Sequence, residues 1–98
     1  MKHTFLEPFT FEGKEYKELE FDFKRLTGND VKAVERELAA SGIMMVSMAT
    51  SQTAQMLIAA KAAKVPSELI DSLPADEVIA IAMLAQSFLL RVGYLTAK

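Results

Sequence analysis

Between Val78 and Leu90 the chain carries no charged residue, and only Gln86 and Ser87 are polar. Val78, Ile81, Ala82, Ala85, Phe88, Leu89 and Val92 recur at helical spacing and make one wide apolar face. Ile79, Met83 and Leu90 make a second apolar strip on another side of the same helix. A helix that is apolar nearly all round must bury most of its surface. A chain of 98 residues has little remaining mass with which to cover it. The surplus strip therefore calls for a partner or a second copy of the chain.

The signals around this helix are consistent with a run from Pro74 to about Tyr94. Asp76 and Glu77 fall in its first turn and Arg91 near its end, each with the sign that suits the helix dipole. Upstream, "RLTGNDVKAVERELAASG" also has helical spacing. Thr27 is a suitable N-cap, with Asp30 placed to complete a capping box. Val31, Val34 and Leu38 form one narrow stripe, Lys32, Glu35, Arg36 and Glu37 face outward, and Gly42 ends the helix. This helix is expected to lie against the N-terminal strands. A further helix runs from Ser51 or Gln52 to Lys64, with Met56, Leu57, Ala60 and Ala63 on one side and Pro66 as its stop. The pattern leaves open whether it begins earlier, at Ile43. "SELIDSL" is a short helical segment with Ser67 as cap.

The N-terminal stretch "FTFEGKEYKELEFDF" has a period of two. Phe9 and Phe11 alternate before a glycine, and Leu19, Phe21 and Phe23 alternate after it. This predicts a β-hairpin that ends near Lys24, with Gly13-Lys14 as its loop and Gly13 at the first central position. Tyr16 is out of phase with Leu19, which places a bulge near Lys17. Gly13-Lys14 does not read as a phosphate loop, because no other glycine precedes it and Glu15 follows. The fold class is therefore α+β: an N-terminal β-hairpin followed by a small bundle of three to four helices. No linker or repeat interrupts it, so residues 1–98 are expected to form one domain, with the hairpin in 1–24 and the helical part in 27–98.

Charge and residue types narrow the function. Eleven Lys and Arg are scattered among thirteen acids, for a net charge of −2, which argues against nucleic acid as a partner. There is no cysteine to form disulfides, thiolate metal sites or cysteine nucleophiles. "MKHTFLEPF" lacks an apolar run of signal-peptide length. Leu38 to Ala60 is uncharged, but Ser41-Gly42 and "TSQTAQ" break it, so it is not expected to span a membrane. The expectation is a soluble intracellular protein.

Catalysis needs convergent polar groups. His3, the one histidine, is expected to be solvated near a mobile terminus. Asp71, Asp76 and Glu77 read as capping and dipole compensation, and no serine sits in a nucleophile motif. No catalytic, cofactor-binding or metal-ligating residue is assigned, and an enzyme is not expected. Met44, Met45, Met48, Met56 and Met83 are a different signal, because methionine serves both to fill core gaps and to line adaptable binding surfaces. The residues singled out for partner binding are Met44, Met45, Met48, Ile79, Met83 and Leu90.

The order of these elements resembles the small tail assembly chaperones of long-tailed bacteriophages. The resemblance is carried by Phe9, Phe11, Gly13, Lys14, Tyr16 and Leu19, then by Leu26, Thr27, Gly28 and Asp30, and then by Leu73, Asp76, Phe88 and Leu89. It covers nearly the whole chain, although residues 43–53 match nothing in the family's pattern. It implies a protein that binds the helical tape measure protein, keeps it soluble, helps tail tube protein subunits polymerise around it, and is left out of the finished particle. It implies no cofactor. The alternative from another class is a small structural or oligomeric phage or prophage subunit without chaperone activity. A nucleic-acid-binding regulator ranks third, and charge disfavours it.

Overall fold

Two antiparallel strands open the fold, β1 (Lys2–Phe11) and β2 (Lys14–Glu20). The computed structural model describes residues 1–42 and 51–96, with burial given up to residue 90. Phe11 pairs with Lys14, so the two-residue loop is Glu12-Gly13, one position earlier than the sequence suggests. Both loop residues have positive φ, +50° at Glu12 and +79° at Gly13, the signature of a type I′ turn. Gly13 is thus the second central residue. Glu12 takes the first at a steric cost that a glycine or asparagine would largely avoid. Lys14 belongs to β2, where its ammonium lies 5.2 Å from the centre of the Tyr16 ring.

The strands slip midway. Thr4 pairs with Glu18 and Phe9 with Tyr16, so Phe5, Leu6, Glu7 and Pro8 all share the space opposite Lys17. The irregularity falls at the expected level, but the extra residues are in β1. Pro8 is tolerated there because it has no N–H to offer a ladder. The hairpin also ends earlier than alternation implies: β2 stops at Glu20 and Phe23–Arg25 is a 3₁₀ turn. Phe21 and Phe23 stay buried and their rings stack 5.9 Å apart, so the two-residue apolar period outlasts the strand.

Four helices follow: α1 (Gly28–Ala40), α2 (Gln52–Ala63), α3 (Ser67–Ser72) and α4 (Ala75–Thr96). At the head of α1 the Asp30 carboxylate accepts from the Thr27 backbone N–H at 2.8 Å and from its hydroxyl at 3.3 Å. Val34 and Leu38 are buried, but Val31 is exposed, so the stripe is narrower than expected. Gly42 closes the helix with φ +77°. α1 packs chiefly on α2 rather than on the hairpin. The 3₁₀ turn is the reason: it ties the end of β2 to α2. The Asp22 N–H donates to the Ala62 carbonyl at 3.1 Å and the Arg25 guanidinium to that of Lys61.

α2 is the hub. It contacts α1, α3, α4, β2 and the 3₁₀ turn. The Ser51 side chain caps it, accepting from the Ala54 N–H at 3.2 Å, which fixes its start at Gln52. Lys64 ends it in the left-handed region at φ +58°, with the Val65 N–H bonded back to the Ala60 carbonyl at 3.0 Å. Its expected one-sided face, Met56, Leu57, Ala60 and Ala63, is not what carries the core. Ala54, Ile58, Ala59, Ala60 and Ala62 are buried, and Met56, Leu57 and Ala63 are half-buried. Small alanines let several neighbours approach at once, so most sides of α2 are covered. Pro66, not Ser67, is the residue preceding α3. The Pro74 carbonyl accepts from the Glu77 and Val78 N–H groups, both at 3.0 Å, and launches α4. Among the described residues no helix is long and apolar enough to cross a membrane.

Candidate partner-binding surface

α4 packs chiefly against α2, and its two sides differ sharply. On the inner side Ile81, Ala82 and Ala85 are buried, while Val78, Phe88 and Leu89 are half-buried. Phe88 stacks on Phe23 with ring centres 5.1 Å apart and an 18° angle between planes. Val92 lies beyond the residues whose burial is described. On the outer side Ile79, Met83 and Leu90 are 50%, 61% and 54% exposed. Those values decide the matter of coverage: among the described residues nothing else sits on this strip.

The first turn of α4 holds the hairpin in place. The Glu77 carboxylate is buried, with Oε1 2.8 Å from His3 Nε2, and Oε2 accepts from the Leu6 N–H at 2.9 Å. His3 is therefore not a solvated terminal residue, and Glu77 does more than compensate a dipole. The bulge in β1 turns the Leu6 N–H toward α4 instead of toward β2, and the carboxylate satisfies it. Burial by itself would raise the Glu77 pKa, but the Leu6 N–H, the His3 hydrogen bond and the His3 charge outweigh it and hold the group below its ordinary value. Asp76 keeps its expected capping role, accepting from the Glu77 N–H at 3.0 Å. The chain start is also secured, because the Met1 ammonium donates to the Phe21 carbonyl at 2.8 Å.

These polar groups are consumed in holding the fold. A half-open notch of about 170 Å³ lies nearby, lined by Met1, Phe21, Asp22, Phe23, Lys24, Ser87 and Phe88. Three of these residues, Phe21, Phe23 and Phe88, are aromatic. Leu6, which alternation did not single out, is 84% exposed because the bulge turns it outward. Of the residues expected to bind a partner, Ile79, Met83 and Leu90 lie together on one exposed strip. Met44, Met45 and Met48 lie outside the described residues. Met56 is half-buried against the core rather than on a free surface.

A hairpin with a helical layer defines a small α+β protein, and among the described residues three of the exposed large apolar side chains share one side of α4. A family model described as "Phage tail assembly chaperone proteins, E, or 41 or 14" matches residues 2–90, and the chain belongs to that family. No curated protein and no solved structure matches it. The family points to a role in tail assembly among tail proteins rather than to a chemical step.

Proposed function

We propose that this chain binds the tape measure protein in the host cytoplasm, keeps it soluble, and helps tail tube protein assemble around it. The observation that carries this reading is the exposed strip of Ile79, Met83 and Leu90 on α4. An elongated helical client without its sheath exposes apolar surface and aggregates. Each copy of the chaperone offers a matching apolar strip, and covering it removes apolar area from water at roughly 25 cal/mol per Å². Met44, Met45 and Met48 are proposed as a second, adaptable part of the same client surface. Residues 1–98 act as one unit in this scheme, with the hairpin bracing the helix that binds.

The test is co-expression with the tape measure protein. The wild-type chain is expected to shift the tape measure from the insoluble to the soluble fraction. Met83→Glu is expected to fold and to lose that effect, because a carboxylate in a dry interface gives up hydration without gaining a partner. Undiminished solubility with the folded variant would move the client surface away from α4.

A further inference from the structure

We propose that, before a client arrives, the outer side of α4 is covered by the same side of a second copy, as an antiparallel helix pair. Ile79, Met83, Gln86 and Leu90 follow one another at steps of four, three and four residues. That is the spacing of a coiled-coil seam, whose repeat averages about 3.5 residues and matches one straight partner helix rather than a sheet edge or an irregular loop. The apolar part of the seam coincides with the exposed side: Ile79, Met83 and Leu90 are all at least half exposed, and Gln86 between them is half-buried, while the inner face of α4 is taken up by α2 and Phe23.

Charge points to a second copy as the occupant. In a coiled coil the residues flanking the seam select partners by their charges. Here the flanking positions are Ala80 and Ser87 on one side and Ala82 and Leu89 on the other, all uncharged, so a second copy meets no like charge between Ile79 and Leu90 even though the chain as a whole carries −2. A helix with charged flanks finds no complement on this surface. Orientation follows from the nearest acid. Asp76 is exposed at the N-terminal end of the same line. Parallel pairing brings two Asp76 carboxylates and two helix N-termini together, and antiparallel pairing separates them. In the antiparallel pair Ile79 of one copy faces Leu90 of the other, and Met83 faces Gln86. Such a pair is isologous and closed, so it stops at two copies and does not grow into a filament. The client reading enters only as what displaces the second copy. The client helix and the second copy compete for the same seam.

Sedimentation of the purified chain over a range of concentrations tests the pairing. The wild type is expected to pass from monomer to dimer. Ile79→Glu and Leu90→Lys, each alone, are expected to stay monomeric with unchanged circular dichroism. An equimolar mixture of the two is expected to recover the dimer, because only antiparallel pairing sets the new carboxylate against the new ammonium. A wild type that stays monomeric throughout overturns the proposal, as does full dimerisation of both single variants. A mixture that fails to pair overturns the antiparallel arrangement. A monomeric wild type that still keeps the tape measure soluble sinks the self-pairing and leaves the client reading intact. A dimer with no effect on tape measure solubility does the reverse.

Discussion

α2 and α4 are both apolar around most of their circumference, yet among the described residues α2 is covered on most sides and α4 chiefly on one. α2 is built mainly from alanine at its buried positions, and α1, α3, α4, β2 and the 3₁₀ turn all reach it. α4 carries Ile79, Met83 and Leu90 on a side that no other element covers among the described residues. An apolar circumference therefore means two different things. In α2 it is the condition for being a hub, and in α4 it is surface held in reserve. What separates them is the size of the outward side chains and the number of neighbours within reach.

The largest effect comes from setting the two sides of α4 against each other. Ala85→Glu or Phe88→Glu is expected to unfold the chain, while Met83→Glu keeps the wild-type circular dichroism spectrum. A carboxylate at the completely buried Ala85 position finds no partner, whereas at Met83 it remains in water. Equal unfolding by Met83→Glu would erase the distinction between the two sides. Next, Ile58→Ala in α2 is expected to cost about 2–5 kcal/mol in urea denaturation, and Met83→Ala no more than about 0.5 kcal/mol. Ile58 is 1% exposed and Met83 61%, so similar losses would show that α2 is not the hub.

Glu77→Gln probes how firmly the start of α4 is held. Removing the charge is expected to cost about 1–2 kcal/mol at neutral pH. The sign with pH follows from the lowered pKa. The folded state prefers ionised Glu77 more than the unfolded chain does, so its contribution is complete above the ordinary glutamate value of 4.5 and disappears as pH falls through the lower folded value. The stability gap between wild type and variant should therefore close on acidification, as read by urea midpoints at a series of pH values. A gap independent of pH would show that the carboxylate is not ionised in the fold. Effects of a size similar to or smaller than that of Glu77→Gln lie outside both helices, at the hairpin loop. Gly13→Val is expected to destabilise by roughly 1–2 kcal/mol, because a β-branched residue resists positive φ even where space is open. Glu12→Asn is expected to stabilise by up to about 1 kcal/mol, because asparagine accepts the left-handed region more readily.

The helical part was the more legible half of the chain. Ser51, Pro66 and Pro74 mark helix limits by what their own side chains or rings can do, so their meaning travels no further than a few residues. The outer strip on α4 was legible for the same reason, since spacing alone separates Ile79, Met83 and Leu90 from Ile81 and Ala85. The hairpin was readable in kind but not in detail. Its loop is displaced by one residue because Glu12 accepts a conformation that glycine usually takes. Phe21 and Phe23 continue the strand period after the strand has ended, because both stay buried while the chain leaves the sheet and enters the 3₁₀ turn. The His3–Glu77 contact had no local signal at all. It depends on a bulge in β1 that frees the Leu6 N–H, and on a helix that arrives much later in the chain to receive it.

That last contact also sets an order of events during synthesis. His3 and Glu77 are 74 residues apart in sequence. The turn at Glu12-Gly13 can close as soon as β2 leaves the ribosome, since its partners are neighbours in the chain. The bulged half of β1 must wait for α4, because until Glu77 emerges its Leu6 N–H and His3 ring have only water to bind. The bulge in the strand made first is thus among the last parts to be secured, and the helix that secures it also carries the exposed strip. A nascent chain cannot present that strip on a braced helix before its own N-terminus has docked.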